Sequence, residues 1–254
     1  MNRNSNTYTF LYAAGLVVVV ASALAIATIG LKEPQEKNIA IEKKLNILST
    51  VGKGMPGDEI TDRDTYIETQ YDKYIVESFI VDGCGERKEG DAFRVNMKEE
   101  YDKIKTIKQT SDEAQQAALR VNLTLPVFVY KDDDARLKCI IPVYGTGLWG
   151  PLWGYVALND DFNTVYGAIF DHKGETPGLG AEIATQAFAK QFVGKQIFDG
   201  HTLTSIKVVK GGAPETDLHG VDAISGGTIT SRGVEDMLQD CLDAYEAFFT
   251  KNKK

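Results

Sequence analysis

The chain has 254 residues and a formal net charge of −8 at pH 7, with 43% apolar and 25% charged residues, the proportions of an ordinary globular protein. Its acidic balance shows no basic stripe that could follow a phosphate backbone, so no nucleic acid is expected as a partner. Cys84, Cys139 and Cys241 form no Cys-x-x-Cys pair, and His172, His201 and His219 are scattered, so no metal site is legible and the thiols read as structural.

Phe10 to Leu31 contains no charged residue and is rich in Leu, Val, Ile and Ala. It matches the roughly 20 residues that an α-helix needs to cross a bilayer core, and a retained transmembrane helix in the lipid bilayer is expected there. A cleaved signal peptide is the weaker reading, because Ala21-Ser22-Ala23 lies inside the apolar run instead of after it. Arg3 precedes the helix while Lys32, Lys37, Lys43 and Lys44 come after it, a bias that by itself favours a cytoplasmic location for the large domain. Ile41, Leu45 and Leu48 then recur at helical spacing up to Gly52, which predicts an amphipathic stalk.

Tyr66 to Tyr74 reads as a polar helix, succeeded by strand-like Ile75-Val76 and Phe79 to Val81. The alternation of Val121, Leu123, Leu125, Val127 and Val129 predicts a strand, and Arg136–Tyr144, Leu152–Leu158, Val165–Phe170 and Leu203–Val209 predict four more. A helix is expected from Ala181 to Phe192, ending near Gly194. Val234, Met237, Leu238, Cys241, Leu242, Tyr245, Phe248 and Phe249 lie on one face of a long final helix. Thr230 or Ser231 is its expected cap, Glu235 and Asp236 the charges near its positive end, and Lys251, Lys253 and Lys254 the cations beyond its negative end. The fold class these elements imply is α+β. Residues 1–9 are expected as a short cytoplasmic tail, 10–31 as a transmembrane helix, 32–120 as the stalk and the N-terminal part of a soluble domain, and 121–254 as the ligand-binding part.

Ser225-Gly226-Gly227-Thr228-Ile229-Thr230-Ser231 places two glycines and four hydroxyls immediately before the final helix. Glycines admit a phosphate close to the backbone, hydroxyls donate to its oxygens, and the helix N-terminus favours its charge. The same composition also begins many ordinary helices, so chemistry alone leaves phosphate binding and plain capping both open. Asp222 is likewise open between an Asx-type turn with Ser225, a magnesium ligand and a solvated turn residue. Glu175 to Gly180 reads as a turn that could wall a flat ligand, with Thr176 offering a hydroxyl, Leu179 an apolar surface and Gly178 close approach; it reads equally as a plain strand-to-helix connection. Trp149, in a glycine-rich loop, could stack on a ring or cover a core edge.

Asp222-Ala223-Ile224-Ser225-Gly226-Gly227-Thr228 resembles the Asp-x-x-Ser-Gly-x-Thr signature at which a bacterial FMN transferase esterifies the FMN phosphate to the final threonine, with Gly227 where the family usually has alanine. Gly147 to Val156 and His172 to Gly180 extend the likeness, with Lys173 as an extra residue in the second segment. Together with the apolar run and the Lys37–Leu48 stalk, the chain resembles the C subunits of the sodium-translocating NADH:quinone oxidoreductases over nearly its full length. The resemblance implies covalent FMN on Thr228, with Ser225, Gly226, Gly227, Asp222, Thr176, Gly178, Leu179 and Trp149 around it. It implies electron relay among the other subunits of a membrane complex that couples NADH oxidation and quinone reduction to sodium export, with no substrate chemistry by this chain alone. It also implies maturation by the FMN transferase and a periplasmic domain, against the lysine bias. The flavin subunit of the related ferredoxin:NAD oxidoreductase complex and a flavin-free membrane-anchored assembly protein are the alternative expectations.

Overall fold

The uncharged run from Phe10 to Leu31 is helical, a form that satisfies backbone polar groups internally, as a bilayer core would require. The computed structural model describes residues 6–54 and 60–253, which divide between Lys43 and Lys44 into two units. In the first unit α1 (Asn6–Thr50) is long and apolar enough to cross a membrane, and Phe10, Val17, Ile26 and Ile29 are exposed along it. At 1.5 Å per residue its uncharged part spans about 33 Å, close to the thickness of a hydrocarbon core. Thr28, a polar residue in this stretch, donates its hydroxyl to the carbonyl of Leu24 at 2.8 Å. The helix does not stop at Leu31 but continues through Pro34, so the expected anchor and stalk are one element. Most of the tail expected at residues 1–9, including Arg3, lies outside the described residues.

The second unit contains the end of α1, where Ile47, Leu48 and Val51 are buried and Leu45 is only half-buried. α2 (Arg63–Tyr74) comes next, opened by Asp62, whose carboxylate accepts from the N–H of Thr65 at 3.2 Å. Then come β1 (Ile75–Val81), β2 (Arg87–Lys88), α3 (Met97–Gln109), α4 (Glu113–Arg120), β3 (Leu125–Lys131), β4 (Leu137–Thr146), β5 (Pro151–Leu158) and β6 (Val165–His172). These strands form one antiparallel sheet in the order β2-β1-β3-β4-β5-β6. A 3₁₀ turn at Gly180–Ala184, α5 (Gln186–Lys190), the short pair β7 (Phe198–Asp199) and β8 (Thr202–Leu203), the parallel pair β9 (Lys207–Val209) and β10 (Gly220–Asp222), and α6 (Thr228–Asn252) complete the unit. The α+β expectation holds.

Three boundaries differ from the sequence reading. The strand expected from Val121 begins at Leu125, because α4 runs to Arg120 and a turn intervenes; Val121 is exposed, and strand pairing starts where Leu125 meets Val81. The helix expected at 181–192 is broken at Thr185, whose hydroxyl accepts from the N–H of Phe188 and starts a new helix. The strand expected at 203–209 is two strands separated by Ser205, whose φ of 61° is incompatible with a continuous ladder. Residues 44–254 form one compact unit, in which β1 pairs with β3.

The sheet is buried on both faces. On one, Val127, Cys139, Ile141, Val143 and Val156 join Val234, Met237, Leu238, Cys241, Leu242 and Tyr245 of α6 in the main core. On the other, Phe128, Tyr130 and Ile140 are buried, and the ring of Tyr74 lies 5.8 Å from that of Tyr130. The close approach of α6 to the end of β4 rests on glycine: a Cβ on Gly145 would sit 2.6 Å from the Cβ of Met237, and one on Gly233 would sit 2.5 Å from the carbonyl oxygen of Thr146. Burial pushes the thiols of Cys139 and Cys241 up to about 12, which makes both inert core groups at neutral pH.

At the far end of this interface the hydroxyl of Tyr245 donates to the carbonyl of Pro126 at 2.7 Å, fully buried. Tyr245→Phe is expected to cost about 1 kcal/mol and to lower the melting temperature by about 2–4 °C, measured by thermal denaturation.

Candidate functional site

The sheet and α6 bring three separated segments together. The first is the β4–β5 hairpin tip, closed by the N–H of Gly147 on the carbonyl of Gly150 at 2.8 Å. The second comes after β6, where the N–H groups of Leu179 and Ala181 both donate to the carbonyl of Thr176 and Gly178 takes φ 74°. The third is the turn before α6, in which the N–H of Gly227 reaches the carbonyl of Ile224 at 3.0 Å and Gly226 takes φ 74°. A side chain at Gly226 would be strained and would also meet Leu179, its Cβ 2.6 Å from Cδ2.

Between the segments lies a cleft of about 220 Å³, lined by Leu148 from the first, Glu175, Thr176, Leu179 and Gly180 from the second, and Gly226 to Thr230 from the third. Thr228, Gly226, Gly227, Thr176 and Leu179, all singled out from sequence, line it. Ser225 is exposed in the turn, and Gly178 is exposed on the second loop; neither lines the cleft. Trp149 stands next to Leu148 with 68% of its surface exposed, so it covers no core edge. Asp222 is turned away from Ser225: its carboxylate accepts from the N–H of Ala213 at 2.8 Å, and its own N–H donates to Gln191 at 2.8 Å. The Asx-type turn is therefore replaced by a tie to the preceding loop. Among the described residues no three His, Cys, Asp or Glu side chains gather as a metal site.

α6 begins at Thr228 with Gly227 as its cap residue and no side-chain cap, which corrects the capping roles expected for Thr230 and Ser231. Both are inside the helix and buried. Ser231 accepts from the N–H of Ile224 at 3.0 Å, and its own N–H makes the first bond of the helical ladder, to the carbonyl of Gly227 at 2.8 Å. The N–H groups of Thr228, Ile229 and Thr230 thus have no intrahelical acceptor. No acidic side chain lies in the first turn; Glu235, expected near the positive end, instead accepts from the N–H of Val208 at 2.8 Å. At the other end Lys251 is within the last turn and Lys253 comes just after it, while Lys254 lies outside the described residues. Anion-binding chemistry is therefore available at Thr228, whose residue is exposed whereas Thr230 and Ser231 are 1% and 2% exposed.

The group that sequence reasoning missed is Glu175. It is 4% exposed, and its two carboxylate oxygens accept from the N–H of Trp149 at 2.8 Å and the hydroxyl of Thr230 at 2.5 Å. Its own N–H donates to Nδ1 of His172 at 3.1 Å. Hydrogen bonds to a charged acceptor contribute about 1.5–3 kcal/mol each, which offsets the desolvation of the carboxylate. Glycines make the space: a Cβ on Gly147 would lie 2.6 Å from one oxygen, and a Cβ on Gly180 would lie 2.7 Å from the other. The pointer in the sequence was Glu175's place within the segment from His172 to Gly180; its partners lie in two other segments and cannot be found by spacing.

Known proteins share these segments. The FMN-binding domain family matches residues 147–243, which contain all three. The C subunit of the Na(+)-translocating NADH-quinone reductase of Vibrio campbellii is 36% identical over 92% of this chain and 89% of its own. That of Neisseria meningitidis is 34% identical over 88% of this chain and 87% of its own. The crystal structure of the corresponding protein from Parabacteroides distasonis superposes with a TM-score of 0.71 at 39% identity, covering 87% of this chain and 97% of that one. Shewanella oneidensis NqrC gives 0.66 at 26% identity, covering 84% and 97%. With a match to the FMN-binding domain family over residues 147–243 and this likeness along nearly its whole length, the chain belongs to the family of C subunits of the Na(+)-translocating NADH-quinone reductases.

Proposed function

We propose that this chain carries FMN joined through its phosphate to Thr228 and relays electrons within a membrane complex that couples NADH oxidation and quinone reduction to sodium export. The observation that carries the reading is the exposed Thr228, the first residue of a helix with no side-chain cap, inside the region that matches the FMN-binding domain. The residues present fit the group. The unpaired N–H groups of the first turn suit the phosphate, Gly226 lets the backbone turn beside it, the hydroxyls of Thr230 and Ser231 are already engaged, and of the exposed Ser225 and Thr228 it is Thr228 that lines the cleft.

When bound, FMN supplies reversible electron transfer, and the protein supplies attachment and orientation. The cleft is smaller than the roughly 300–1,000 Å³ of sites that engulf a ligand. It suits the phosphate end, while Leu148, Trp149, Leu179 and Ile229, which are 42–68% exposed, offer an apolar rim for a ring left open to a partner subunit. The other subunits of the complex and an FMN transferase are the partners this reading requires. α1 is the proposed membrane anchor, with the flavin domain on the periplasmic side, where covalent attachment retains a cofactor that the compartment does not replenish.

Denaturing electrophoresis under ultraviolet light tests the attachment: the chain produced with an active FMN transferase is expected to give a fluorescent band that Thr228→Ala abolishes. A non-fluorescent wild-type chain under those conditions sinks the reading. Location is tested at Cys84, the cysteine that is not buried. A membrane-impermeant maleimide is expected to label it in intact spheroplasts, and labelling only in inverted vesicles would place the domain in the cytoplasm.

A further inference from the structure

The turn that presents Thr228 has no side-chain cap of its own, so its orientation depends on ties from elsewhere in the fold. One is the bond from the N–H of Ile224 to Ser231. The other comes from Glu175, on a different segment. Successive helical residues are about 100° apart, so Thr230 lies about 200° around the helix from Thr228. Fixing Thr230 inward, where it is 1% exposed, therefore turns Thr228 outward. The second carboxylate oxygen of Glu175 holds the N–H of Trp149 and with it the hairpin tip that supplies Leu148 to the cleft. Gly147 and Gly180 make the room that lets the carboxylate reach both partners: a Cβ on either would lie within 2.7 Å of one of its oxygens.

We propose that Glu175 is a positioning residue for flavin attachment. It sets the rotation of the first turn of α6 through Thr230, aiming the Thr228 hydroxyl and the neighbouring N–H groups into the cleft, and it holds the facing wall through Trp149. This rests on the reading that Thr228 carries FMN. The clamp depends on hydrogen bonding and not on charge as such. A glutamine at this position can accept from Trp149 with its carbonyl and donate to the Thr230 oxygen with its amide, whereas an alanine keeps neither tie.

The test is in-gel flavin fluorescence per unit of full-length chain, produced in membranes with the FMN transferase, alongside the melting temperature of each variant. Glu175→Ala is expected to lower attachment about tenfold and Glu175→Gln to stay within about twofold of wild type. Thr230→Val, which keeps the branched shape but not the hydroxyl, is expected to fall as Glu175→Ala does, and the double variant no further than Glu175→Ala alone. Tyr245→Phe, far from the cleft, is expected to melt earlier yet attach flavin normally. Wild-type attachment in Glu175→Ala, additive losses in the double variant, or attachment that simply tracks melting temperature through Tyr245→Phe would each overturn the clamp. If Glu175→Ala does not accumulate, Glu175→Gln against Thr230→Val decides the matter by the same comparison. Thr228→Ala on the same gel separates the two ideas. Flavin retained there removes the underlying reading, and flavin lost there but retained in Glu175→Ala and Thr230→Val removes only the clamp.

Discussion

The site depends on a buried carboxylate. Glu175 has given up water for two protein donors, the N–H of Trp149 and the hydroxyl of Thr230. A buried charge is stable only when its oxygens are satisfied, and removing either donor leaves it with an uncompensated lone pair. The three segments around the cleft are consequently one unit. The hairpin tip cannot lift, nor the first turn of α6 rotate, without breaking a bond to the same group.

The sheet and α6 make this arrangement possible by bringing backbones closer than side chains normally permit. Gly145 and Gly233 let α6 settle against the end of β4, and Gly147 and Gly180 leave a carboxylate-sized gap just beyond it. The helix then presents its N-terminus to the cleft without acidic neighbours in its first turn. Its apolar face fills the core from Val234 to Phe249, so the turn at Thr228 sits on a rigid support instead of a mobile loop. Small residues set the distances, and the long helix holds them.

Polar chemistry at this end of the molecule points in two directions. Thr230 and Ser231 face inward and are bonded to Glu175 and Ile224, whereas Thr228 and the apolar residues Leu148, Trp149, Leu179 and Ile229 face out. One turn of helix thus separates hydroxyls that serve the fold from the one available for chemistry. Asp222, which belongs to the same short signature, ties the turn to the preceding loop through Ala213 and does not line the cleft.

The sequence by itself determined the elements whose signal is local and periodic. These are the uncharged run within α1, the polar helix before Ile75, the strands from Leu137 to His172, and the apolar face of α6. The resemblance of its short segments to a known family also pointed to Thr228, Gly226, Gly227, Thr176 and Leu179, where glycine and hydroxyl patterns alone left ligand binding and plain structural roles both open. Other features were not legible there. The break at Thr185, the strand start at Leu125 and the loss of capping roles for Thr230 and Ser231 arise from competition between local hydrogen bonds and distant partners. Glu175 is the clearest case. In the chain it is one acid among many, and only the tertiary structure surrounds it with the glycines, the amide and the hydroxyl that make its burial favourable.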